Sequence, residues 1–363
     1  MPSFKKEFES WKRLIVTRRS LFFLCGYSLV LSTTLLSCNQ SSNTPQQQAN
    51  LSSNTTSTTA QKVVRVVRSK QLTALAVLEK QGTLEKALQP LGFKVEWPEF
   101  AAGPQQLEAL KVGGLDIAST AESPPIFAQA AGTPLVYLAT TSADGKAISL
   151  VVPTNSPVKK IADLKGKKIA FQKASIGHYL LVKALEKDGL KLSDVQSVFL
   201  PPPDANVAFS QGKVDGWFIW EPFVMRAEQS KVGRILLDGG EIRDTGNFYS
   251  TSRQFYQEHP DVIKIFFEEL QKAQIWSKNH PKELAQLLAP VTQLDAPTLE
   301  KMHDKYDFEL LPITEQTIAK QQEVADKWYS LGLIPNKVDV KGGFLTPEEY
   351  AKITPKEVLA NKH

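Results

Sequence analysis

From Lys62 onward, short apolar runs alternate with stretches whose apolar residues recur at helical spacing. The β-branched run 63–69 predicts a strand, and Leu75, Leu78, Leu84 and Leu88 then line one face of a helix over 72–88 that stops before Pro90. The alternation continues with a strand at 93–97 and a helix at 104–112 closed by Gly113-Gly114. Strands at 116–120 and 135–141 flank a helix over 124–131 that opens on Pro124-Pro125. A second set follows, with strands at 148–152, 168–171, 195–200, 214–220 and 234–237. Its helices fall near 159–163, 177–188, 204–211 and 222–230. Strands separated by helices imply parallel-rich sheets covered on both faces. After a last strand at 248–252 the pattern turns helical, from His259-Pro260 through 276, near 297–305 and over 314–331. The polar tail 341–363 is expected to wrap or fray.

The first sixty residues follow none of this. Paired Arg18-Arg19 precede an apolar run from Leu21 to Leu36, whose 16 residues fall short of the roughly 20 that span a bilayer as a helix. A basic stretch before a short apolar run reads as an export leader. The twin arginine suggests the route for folded proteins, with the general secretory route as the alternative. The run ends Leu35-Leu36-Ser37-Cys38, which resembles a bacterial lipobox and implies cleavage before an acylated Cys38. Residues 39–61 carry no charge and one large aliphatic, Leu51, so this stretch reads as a polar tether. The organisation expected is leader 1–37, tether 38–62, first lobe 63–147, second lobe 148–249, a mostly helical return to the first lobe over 250–340, and tail 341–363.

Charge and cysteine usage then exclude whole classes. Residues 1–37 account for +4 of the net +5, leaving +1 for everything else, so no basic stripe suited to nucleic acid remains. Both cysteines, Cys25 and Cys38, lie in the leader region, which removes disulfides, thiolate metal sites and a cysteine nucleophile from the folded part. No histidine pair shows i, i+4 metal spacing, and neither a metal nor a cofactor is expected.

Several segments carry a resemblance. They are 100–110 (FAAGPQQLEAL), 124–132 (PPIFAQAAG), 162–168 (ADLKGKK), 173–178 (KASIGH), 202–205 (PPDA) and 219–223 (IWEPF). In this order they resemble the aliphatic-sulfonate-binding proteins of ABC importers, within the nitrate/sulfonate/taurine-binding family. Three positions depart from the family pattern: Val67-Arg68-Ser69-Lys70 after the first strand, Ala121 in place of a glycine, and Trp220-Glu221-Pro222 in place of Trp-Asp-Pro. The resemblance implies a type II periplasmic-binding-protein fold: two α/β lobes, two crossings near 146–149 and 249–252, and a ligand cleft between the lobes. It further implies a monomeric receptor on the periplasmic face of a membrane, held there through its lipid and delivering an alkanesulfonate to permease and ATPase subunits. Alternatives are a receptor for taurine or nitrate, a ligand sensor without transport, or an enzyme. The fold hosts a desulfinase with a cysteine nucleophile, which this folded region lacks.

A sulfonate is a permanent anion, so its site needs oriented donors and no base. Helix N-termini supply free N–H groups and a favourable dipole. Two candidates follow strands, Ser119 to Ser123 with Glu122 between them, and Ser175-Ile176-Gly177-His178. Ser123 and Ser175 are ligand contacts or simple helix caps, and Gly177 would let a ligand approach the backbone. Lys70 offers a charge-assisted contact or stays solvated. His178 is either at the ligand end of its strand or a structural histidine. Trp220 is expected to wall the cleft while Trp217 packs in the core. Glu221 is a helix-start residue, or else a group that would welcome an amine on the ligand.

Overall fold

A computed structural model describes residues 62–360; the leader, Cys38 and nearly all of the tether lie outside the described residues, as do the last three of the tail. Lys62, assigned above to the tether, opens the first strand. Among the described residues, eleven strands form three sheets. β1 (Lys62–Arg65) and β2 (Phe93–Glu96) pair in parallel. β3 (Ala118–Thr120), β4 (Leu135–Thr141), β10 (Phe248–Ser252) and β11 (Leu310–Leu311) make a second sheet in the order β11-β4-β10-β3. β5 (Ile148–Pro153), β6 (Lys168–Phe171), β7 (Gln196–Phe199), β8 (Gly216–Trp220) and β9 (Gly233–Asp238) form a third, ordered β7-β6-β8-β5-β9. A parallel bridge between Val66 and Ile117 joins the first two sheets into one lobe, and the five-stranded sheet is the core of the other.

The chain passes between lobes over 142–147 and again over 239–247. The second crossing therefore lies before 249–252, because those residues are the centre of β10, paired to both β3 and β4 in the first lobe. The crossings touch backbone to backbone. A Cβ on Gly145 would stand 2.5 Å from the Gly239 carbonyl oxygen, and one on Gly246 would stand 1.7 Å from that of Thr141. Glycine is required there by close approach.

Local sequence explains most elements and corrects a few. The helix expected over 72–88 is two, Ala74–Gln81 and Thr83–Leu88, because Gly82 adopts φ +63° and ends the first. A helix not anticipated, Pro281–Thr292, follows directly on Pro260–Asn279; His280-Pro281 makes the break. Near 159–163 there is only a short 3₁₀ turn, Ile161–Leu164. The tail wraps. The Tyr350 hydroxyl donates to the Tyr137 carbonyl at 2.7 Å, and the Phe344 ring stacks on Tyr137 with centroids 4.3 Å apart. Among the described residues no helix is long and apolar enough to cross a membrane.

Candidate functional site

A cleft of about 280 Å³ opens between the lobes. The first lobe contributes the loop after β1, the start of the helix Gly103–Lys111 and the end of β3. The second contributes Ser175-Ile176 and the end of β8, and both crossings reach the floor.

Of the residues singled out in the sequence, Lys70, Ser119, Ser175 and Trp220 line this cleft. Lys70 is more than half exposed and its ammonium sits 2.6 Å from Glu99, itself on the wall. The Ser119 N–H donates to the Gln106 side chain at 3.0 Å, which fixes the end of β3 against the helix carrying the AGPQQ segment. Trp220 and Trp217 are three residues apart on β8 and so face opposite ways. Trp217 is fully buried among Phe209, Val151 and Val224.

Ser175 precedes the helix Ile176–Lys187 in extended conformation, but its hydroxyl does not cap it; it donates backward to the Gln172 carbonyl at 2.7 Å. The turn is closed instead by His178, whose Nδ1 accepts from the Ala174 N–H at 3.3 Å, with Ala174 held at φ +61°. The first N–H groups of this helix have no intrahelical partner by construction, and Ser175 and Ile176 put that end on the cleft wall. The arrangement can receive a small anion.

Five candidates stand behind the wall. Gly177 serves packing: a Cβ there would meet the Phe218 carbonyl oxygen at 2.7 Å, so it lets the helix approach β8. His178 is fully buried, its ring stacked on Phe171 at 4.7 Å and close to Trp328 at 4.8 Å. Burial holds its pKa down to about 4, with the Lys173 charge adding to the effect. Ser123 is fully buried and accepts from the Trp328 indole N–H at 3.3 Å. Glu221 is buried, with one carboxylate oxygen 2.5 Å from Lys305 and the other accepting from the Met225 N–H at 3.0 Å. It holds the start of the helix Phe223–Gln229 and ties it to the first lobe. Glu122 is buried against Arg243 at 3.4 Å; burial raises its pKa, and the Arg243 charge opposes that rise.

Arg243 itself escaped the sequence reading. It sits in the second crossing, donates to the Ala143 carbonyl of the first, and reaches Asn247 at 2.8 Å as well as Glu122. Placing that crossing a few residues late hid it; an arginine between two strands, next to Gly239-Gly240, was the available signal. Arg226, also on the wall, was missed too. It donates to the Thr292 carbonyl and lies over the Phe223 ring at 5.6 Å.

Two α/β lobes joined by two crossings around a cleft that offers oriented donors and an aromatic wall define a type II periplasmic-binding-protein fold. The chain belongs to the NMT1-like family, whose model matches residues 58–291. It is 40% identical over 257 residues to an Escherichia coli protein named for aliphatic sulfonate binding, covering 70% of this chain and 81% of that protein. Among solved structures, the alkanesulfonate-binding protein SsuA from Xanthomonas axonopodis pv. citri, bound to MOPS, superposes with a TM-score of 0.75 at 33% identity, over 78% of this chain and 98% of that one. A desulfurization enzyme shares the fold alone, at 16% identity and a TM-score of 0.58, over 80% of this chain and 98% of that one. The relatives that it matches at 30% identity or more are named as binding proteins, not enzymes.

Proposed function

We propose that the protein is the substrate-binding lipoprotein of an ABC importer, exported to the periplasmic face, anchored through acylated Cys38, and acting as a monomer that hands aliphatic sulfonates to the permease. The observation that carries the ligand class is the N-terminus of the helix Ile176–Lys187 on the cleft wall, with its unpaired N–H groups and the apolar face of Trp220 on the same cleft. Fixed donors suit a permanent anion, and an indole face suits an alkyl chain. Lys70 and Ser119 add polar contacts from the first lobe. The leader sequence and the family's periplasmic relatives support export.

Calorimetry against methanesulfonate, longer alkanesulfonates, sulfate and nitrate tests this reading. Affinity should rise with chain length by up to about 0.8 kcal/mol per buried methylene. Trp220→Ala should cost long-chain ligands more than short ones. Sulfate or nitrate binding as tightly as the sulfonates would overturn it. For the anchor, Cys38→Ala should accumulate unprocessed protein, and unacylated mature wild-type protein would exclude the lipid.

A further inference from the structure

Four cationic side chains line the cleft, and three are already matched: Arg68 by Glu79 at 2.7 Å, Lys70 by Glu99 at 2.6 Å and Arg243 by Glu122 at 3.4 Å. The wall carboxylates are Glu99, taken by Lys70, Glu309, 2.9 Å from Lys278, and Asp144. Asp144 differs from the others. One of its oxygens accepts from the Asp307 backbone N–H at 3.0 Å, and no lysine or arginine comes within ion-pair distance of it among the described residues.

That hydrogen bond does not need a charge. Asp144 has φ +43° and ψ +38°, a left-handed conformation that asparagine adopts as readily, and an amide oxygen would accept from Asp307 equally well. The charge is opposed by burial first, then by Asp307 and Glu309, with Arg243 favouring it from beyond ion-pair range. Tyr249 from β10 and Tyr306 line the same cleft. A carboxylate without a counter-ion, on a ligand-facing surface that also carries aromatic rings, is an environment that an organic ammonium completes. A metal ion is a poorer match, since no three carboxylate or histidine groups among the described residues are placed to hold one.

We propose that Asp144 is the cleft's receptor for a positively charged group on the ligand, so that the preferred ligands are sulfonates carrying a protonated amine. This rests on the sulfonate reading above. The role imagined for Glu221 passes to a residue of the first crossing, since Glu221 is occupied by Lys305.

The test compares 1-propanesulfonate with 3-aminopropane-1-sulfonate, equal in length, by calorimetry on the full mature protein. Wild type should prefer the amine by about tenfold or more, the worth of one charge-assisted hydrogen bond. In Asp144→Asn that ratio should fall to about one. A second measurement needs no variant. Asp144 is held at a pKa of about 6, so the wild-type preference should shrink as pH is lowered from 8 to about 5, where both ligand charges persist. An unchanged ratio in Asp144→Asn, a flat pH profile, or a wild-type preference for the alkane would overturn the proposal. If wild type binds neither compound, the sulfonate reading fails and this inference falls with it.

Discussion

Two of the helices that start beside the cleft, one in each lobe, differ in what they can offer an anion. In the first lobe, Ser123–Ala130 places Pro124 and Pro125 in its first turn. Proline has no N–H, so two of the donors that a helix N-terminus would present are missing. Its serine is buried against Trp328, and the Glu122 carbonyl accepts from Gln321 at 2.8 Å. In the second lobe, Ile176–Lys187 keeps its first N–H groups, and Ser175 remains on the wall. The sequence signature is nearly the same, a hydroxyl after a strand and before an apolar helix. What separates the two is which atoms the surrounding fold has already used.

Both starts lean on Trp328, which is fully buried, contacts Ser123 and Phe127 on one side and lies 4.8 Å from His178 and 5.6 Å from Tyr179 on the other. Trp328→Ala should therefore have the largest effect, costing about 3–5 kcal/mol of stability in denaturant melts. A cost below about 1 kcal/mol would mean the two helices are positioned independently.

The second lobe's start should also show itself in acid. His178 has its pKa lowered to about 4, so it is neutral in the fold and binds protons more readily when unfolded. Its contribution is present above the ordinary histidine pKa of about 6.5 and is lost as pH falls toward 4, by about 2–3 kcal/mol. His178→Asn, which keeps an acceptor for the Ala174 N–H, should flatten that limb. The same slope in both proteins would mean His178 does not cause it. Ser123→Ala should cost about 1–3 kcal/mol by stranding the indole N–H. A loss of sulfonate affinity exceeding the loss of stability would put Ser123 in the site after all and erase the contrast.

Between the two helices, the crossing residue Asp144 should respond with the opposite sign. Its pKa is raised to about 6, so the protonated form is favoured by folding. Its contribution is full below the ordinary value of about 3.9 and is lost as pH rises through about 6. Asp144→Asn should stabilise the ligand-free protein by about 1–2 kcal/mol near pH 7.5, after allowance for partial exposure, with the gain gone by about pH 4. Denaturant melts at the two pH values decide it. Smallest of all, Lys70→Ala should change stability by less than about 1 kcal/mol, because its pair with Glu99 is exposed at the rim.

Much of this architecture was legible in the chain. Short apolar runs and helical spacing marked most strands and helices, and the Pro-Pro and Ser-Ile-Gly-His segments marked helix starts beside a cleft. Periodicity reports which face of an element is apolar, and that is settled locally. The break at Gly82 needed only a residue's backbone preference, whereas the second crossing was placed late because the partners of Phe248–Ser252, β3 and β4, lie far earlier in the chain.

The sequence by itself determined the alternation of elements, the cysteine-free folded region and the resemblance that placed the chain in its family, since each rests on residue type and spacing. Only the tertiary structure decided which polar residues face the cleft. Glu122, Ser123 and Glu221 are each used up by a partner far along the chain, Arg243, Trp328 and Lys305, while His178 is buried with its Nδ1 taken by the Ala174 N–H. Asp144, unremarkable as a sequence position, is left facing the cleft with its charge unmatched. Whether a polar group is available to a ligand depends on which distant groups reach it first, and spacing along the chain carries no record of that.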